Sequence, residues 1–171
     1  ERPLVSIVTN FTKPSAGTPS LITHDELVTL LHEFGHSLHG MFADGRYPSL
    51  CGTNVARDFV ELPSQIMENW AFEPEFLNSF AKDYRTGEVI PQELVHRITA
   101  VKNYLSGYYQ VRQLDFGELD MAWHTLRSMP ECTVMEYEEN VLEPYRVLPY
   151  VKGTSVSTSF NHIFSGGCSA G

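Results

Sequence analysis

The sequence predicts a mainly α-helical domain with a small strand region at its N-terminal end. Two kinds of observation predict it. From His24 onward, apolar residues recur at three- and four-residue steps in runs opened by helix-starting residues, whereas residues 4–11 alternate branched apolar and small side chains.

Within residues 4–11, Val5, Ile7 and Val8 give the strand pattern, and Lys13-Pro14-Ser15-Ala16-Gly17 breaks it. Thr23 followed three residues later by Glu26 is a capping box, so the first long helix starts near His24. Leu27, Leu30, Leu31, Phe34, Leu38 and Met41 form its apolar side, and Ala43-Asp44-Gly45 stops it. Residues 46–54, with Pro48, Ser49 and Gly52, read as a loop that returns the chain toward the helix. Asp58 opens a second helix, expected to turn Phe59, Leu62, Ile66 and Trp70 inward and to be tight or kinked at Pro63. Pro91 starts a third through Val95, Ile98 and Val101, and a longer helix is expected over residues 108–127. Pro130, Pro144, Pro149 and Gly153 punctuate the tail. With no repeat and no linker, residues 1–171 read as one domain. The run of small residues at 165–171 reads as a cut and not as a natural terminus.

A hydrophobic content of 42% with 19% charged residues is enough for a buried core. No apolar run reaches membrane-spanning length and no signal peptide is evident, so no membrane partner is expected. Twelve basic against twenty-one acidic side chains, a net charge of −9, with no Lys/Arg cluster, argue against nucleic acid. Cys51, Cys132 and Cys168 have no C-x-x-C spacing and are odd in number, which fits a reducing, cytoplasmic setting.

His32-Glu33-Phe34-Gly35-His36 carries the chemistry. Residues four apart on a helix share a face, so His32 and His36 can grip one zinc ion, with Glu33 beside a water at the open coordination position. Glu61, from the second helix, offers an acidic third ligand. Zinc held this way brings the water's pKa down to roughly 7, and Glu33 acts as general base. His39 is a rival third ligand because it shares the face of the pair, but three ligands from one straight helix do not easily surround a metal tetrahedrally. The longer pattern H-E-x-x-H-x-x-G-x-x-H also fails, since His39 and Phe42 occupy its glycine and final histidine positions. His39 is therefore read as a supporting or buried hydrogen-bonding residue. Glu68 and Gln65 are placed to orient the metal histidines.

Longer strings extend this reading: His32-Glu33-Phe34-Gly35-His36-Ser37-Leu38-His39-Gly40, Ser49-Leu50-Cys51-Gly52-Thr53-Asn54, and Arg57-Asp58-Phe59-Val60-Glu61-Leu62-Pro63-Ser64-Gln65 running on to Glu68-Asn69-Trp70. In these the chain resembles the catalytic part of the thimet-oligopeptidase family of zinc metallopeptidases. The lead-in Asn10-Phe11-Thr12-Lys13-Pro14-Ser15-Ala16-Gly17 looks most like the bacterial peptidyl-dipeptidase Dcp branch. The resemblance implies a helical zincin-type catalytic fragment with one zinc ion at His32, His36 and Glu61 and with Glu33 as base. It implies short peptide substrates and release of C-terminal dipeptides. Internal cleavage by an oligopeptidase, and an inactive metal- or peptide-binding fragment, stay open beside that reading. It further implies that His162, with Gly166 and Gly167 in the loop Phe160-Asn161-His162-Ile163-Phe164-Ser165-Gly166-Gly167, meets bound peptide. The family follows this loop with tyrosines that hold the oxyanion, but this chain has Cys168 at the first such position and ends at Gly171. Members of the family are longer than this chain, so the resemblance implies an interior fragment truncated at both ends; the N- and C-terminal parts of a longer parent enzyme are expected partners, and weak turnover is expected of the 171 residues alone.

Among the remaining residues, Tyr108, Tyr109, Trp70 and Trp123 are read as core packing. His24, His96 and His124 are read as surface or capping histidines.

Overall fold

A computed structural model describes residues 4–165 and is mainly helical. Among the described residues seven α-helices follow one another: α1 His24–Met41, α2 Arg57–Val60, α3 Leu62–Glu68, α4 Pro74–Phe80, α5 Gln92–Val101, α6 Ser106–His124 and α7 Val134–Leu142. Short 3₁₀ turns join several of them. The residues gather into two compact units, 1–102 and 103–171.

The expected strand is not seen. Leu4 and Val8 are exposed, and the β-pairings among the described residues are the isolated bridges Ser15↔Thr18 and Lys82↔Val89. Alternation alone does not make a strand: without a neighbour to complete the ladder, its backbone groups are better left to water.

In the first unit, Thr23 caps α1. Its hydroxyl accepts from the Glu26 N–H at 3.2 Å while the Thr23 N–H donates to Glu26 Oε2 at 2.7 Å. The core is made by Leu27 and Leu31 of α1 with Ala71, Leu77 and Val95, and Val28, Met67, Phe72, Phe76 and Ile90 pack around it. Phe34 and Met41, expected on the buried side of α1, are exposed. The expected second helix is broken at Glu61 into α2 and α3, with Pro63 in the first turn of α3. Its inward face also differs from expectation. Phe59, Leu62, Ile66 and Trp70 are all about half exposed, whereas Val60 and Ser64 are buried. The reason lies in α1, where Gly35 has no side chain and lets α3 lie against it backbone to backbone, so the small residues make the contact. The short helix α4 was not foreseen in the sequence. Pro91 opens α5 as expected, standing at its N-cap with its carbonyl accepting from the Val95 N–H at 3.3 Å.

In the second unit, α6 and α7 pack around Leu119, Leu142 and Ile163, with Trp123, Val141, Val156 and Phe160 alongside. Trp123 thus packs as expected, and its Nε1 donates to Ser157 Oγ at 2.9 Å. Tyr109 is exposed instead of packed. The helix α7, also not foreseen, opens with a second capping box between Thr133 and Glu136. Glu138 on α7 is buried and gathers the segment that leads to His162. Its carboxylate accepts from the Val156 N–H (2.7 Å), the Ser157 N–H (2.8 Å) and the Ser155 hydroxyl (2.9 Å). Burial pushes this carboxyl up, but the N–H groups of Ser157 and Val156 and the hydroxyls of Ser157 and Ser155 outweigh it and hold the group below the usual carboxylate range.

Candidate metal centre

The middle of α1 presents His32 and His36 one turn apart, with ring centroids 4.9 Å from each other and planes nearly perpendicular at 87°. Opposite them, at the break between α2 and α3, Glu61 turns its carboxylate toward both rings. Glu61 Oε2 lies 3.2 Å from His32 Nε2 and 3.1 Å from His36 Nε2. One donor atom from each of the three residues falls within 4.8 Å of the others.

This spacing can be tested against the geometry of a bound ion. Four ligands placed tetrahedrally at about 2.0 Å from zinc are about 3.3 Å from one another. The two separations to Glu61 are close to that edge length, and two imidazole nitrogens with one carboxylate oxygen are a donor set that catalytic zinc takes. The residues therefore fit one zinc ion with a fourth position left over.

The surroundings hold the donors in place. His32 Nδ1 donates to Glu68 Oε1 at 2.7 Å, which turns Nε2 toward Glu61 and the shared centre. Gln65, proposed beside Glu68 as an orienting residue, is exposed. The Nδ1 of His36 is buried and has no hydrogen-bond partner among the described residues. His39 is not one of the three grouped residues; its ring lies edge-on to Phe59 at 6.1 Å, and its buried Nδ1 likewise has no partner.

Two residues at this centre escaped the sequence reading as contributors. Gly35 permits the close approach of α1 to α3, and the fully buried Ser64 places its hydroxyl 2.9 Å from Glu61 Oε2. A serine three residues after a candidate ligand, opposite a glycine in the metal helix, was the available signal.

Glu33 follows His32 on α1 and is half-buried. His162 belongs to the second unit, where it is exposed on a 3₁₀ turn, Asn161–Ile163, with its ring stacked on Phe160 at 4.8 Å. Gly166 and Gly167 lie outside the described residues. A cavity of about 560 Å³ lined by Gly35, Leu38, His39, Cys51 and Pro63, among others, has none of His32, Glu33, His36 or Glu61 in its wall.

Comparison with known proteins extends these observations over the entire sequence. The dipeptidyl carboxypeptidases of Salmonella typhimurium and Escherichia coli are 43% and 41% identical to the chain, each over 99% of it. Oligopeptidase A of Escherichia coli is 39% identical over 100% of it. The chain spans about a quarter of the length of these relatives, 25% in each case. Residues 1–171, including every helix that builds the His32–His36–Glu61 centre, match one family, and the chain belongs to peptidase family M3.

Proposed function

We propose that this chain carries the reaction centre of a zinc-dependent peptidase that acts on short peptides and releases dipeptides from their C-termini. The convergence of His32 Nε2, His36 Nε2 and Glu61 Oε2 is the observation that carries the reading. Two of the relatives are named for dipeptide removal, which favours this product.

His32, His36 and Glu61 would hold the ion, and zinc when bound supplies an acidified water and polarises the scissile carbonyl. The protein's own part is positional and acid–base. Glu68 fixes the tautomer of His32 by accepting from Nδ1. Glu61 brings one negative charge, which leaves the centre with a net positive charge that favours developing negative charge on the substrate. The Glu33 carboxylate takes the proton from the attacking water and returns it to the departing amine nitrogen. The roles of His162, Gly166 and Gly167 in meeting bound peptide are proposed from the resemblance of their loop. Because the relatives extend far beyond the matched stretch, the 171 residues are read as part of a larger catalytic domain working in the cytoplasm.

A second reading, cleavage at internal bonds, is favoured by the likeness to oligopeptidase A. Incubating the full-length enzyme with peptides of graded length and identifying products by mass spectrometry distinguishes the two. C-terminal dipeptides as first products, with no cleavage by Glu33→Gln, support the proposal. Internal fragments as first products overturn the dipeptide assignment, and undiminished cleavage by Glu33→Gln overturns the chemistry.

A further inference from the structure

We propose that Ser64 is a positioning residue that sets the metal-binding carboxylate of Glu61; this rests on the zinc reading above. Ser64 is completely buried, and its Oγ lies 2.9 Å from Glu61 Oε2, the oxygen that faces both imidazoles. The same hydroxyl lies 2.9 Å from the Glu61 backbone carbonyl. It has one proton and so donates to one of them at a time.

Two facts favour the carboxylate. The carbonyl already accepts from the Gln65 N–H at 2.9 Å, so it stays satisfied without the serine. A bond to an ionised acceptor is also the stronger of the two. The need for such a bond follows from where Glu61 sits. It occupies the junction of α2 and α3 and its side chain is 39% exposed, so little packing restricts its rotamers. Ser64, by contrast, is fully buried with its backbone packed closely against Gly35 of the metal helix. The hydroxyl therefore refers the position of the acid directly to the helix that bears the two histidines.

The test is a double-mutant cycle in the full-length protein. Zinc affinity is measured by competition with a chromophoric chelator for wild type, Ser64→Ala, Glu61→Ala and the double variant, with thermal melting of each metal-free protein as a control. Ser64→Ala is expected to weaken zinc binding about 10–100-fold when Glu61 is present. In the Glu61→Ala background it is expected to change affinity less than about 2-fold, as for residues acting through one another. The visible spectrum of the cobalt(II)-loaded protein is expected to change with Ser64→Ala, because the carboxylate is displaced. Wild-type affinity in Ser64→Ala, or equal weakening in both backgrounds, overturns the proposal. Failure of the wild-type protein to bind zinc, with no effect of Glu61→Ala, would remove the metal reading itself and the proposal with it.

Discussion

Gly35 of α1 and Ser64 of α3 touch so closely that a Cβ placed on Gly35 would lie 2.5 Å from Ser64 Cα and 2.6 Å from the Pro63 carbonyl oxygen. Neither neighbour is a flexible side chain that could swing aside. The seam between these helices sets how far Glu61 stands from His32 and His36, which ties the packing of the first unit to its chemistry.

Gly35→Ala is accordingly expected to push the helices apart, at a cost of at least about 1–3 kcal/mol for the overpacking. Zinc affinity should fall together with melting temperature, and both can be followed by calorimetry of the zinc-loaded and metal-free proteins. Unchanged values for both would show that the seam tolerates a methyl group.

Glu33→Gln keeps the shape of the side chain and removes its ability to take a proton. Peptide hydrolysis should drop by about 10²–10⁴-fold while zinc content stays near one ion per chain. Elemental analysis alongside turnover separates a lost base from a lost metal.

Glu68→Ala deprives His32 Nδ1 of its acceptor at 2.7 Å. Zinc binding is expected to weaken about 10–100-fold, with the fold retained by circular dichroism. Glu68→Gln, which keeps a carbonyl acceptor, should lie between the variant and wild type.

Glu138 gives a pH-dependent prediction in the second unit. Its carboxyl is depressed in the folded protein, so the stabilisation it brings is present above the unfolded value and is lost as pH falls through the folded one. Glu138→Gln, which sets an amide donor against the donors of residues 155–157, should cost about 2 kcal/mol or more at neutral pH. The gap in melting temperature between the two proteins should close as the medium is acidified toward pH 3, and a gap independent of pH would contradict this.

The sequence makes α1 legible because its signals are local. Thr23 and Glu26 mark the start, the apolar steps mark the length, and the spacing of His32 and His36 puts both rings on one side. The facing of the second helix was not legible by the same means. Apolar periodicity at Phe59, Leu62, Ile66 and Trp70 points to one face, yet contact is made by Ser64 against a glycine, and small residues carry no hydrophobic signal. The strand expected over residues 4–11 failed because pairing depends on a partner that alternation does not specify. The start of α7 repeats the Thr23–Glu26 signature at Thr133 and Glu136, but Pro130 and Pro144 on either side leave room for only a short helix, whose apolar steps are few. His32, His36 and Glu61 were legible as a set because imidazole spacing and the longer strings agreed, whereas the hydroxyl beneath Glu61 depends on how two helices meet.

The break in helical structure at Glu61 divides the three donors unequally. The imidazoles are spaced by a regular turn of backbone hydrogen bonds, and that interval is costly to stretch. The acid sits where the ladder is interrupted, at φ −86° and ψ −5°, between two short segments. A cation of different radius would therefore be accommodated by this one arm, at the expense of its bond to Ser64 Oγ, and exchanging zinc for a larger divalent ion should displace Glu61 while leaving both rings in register.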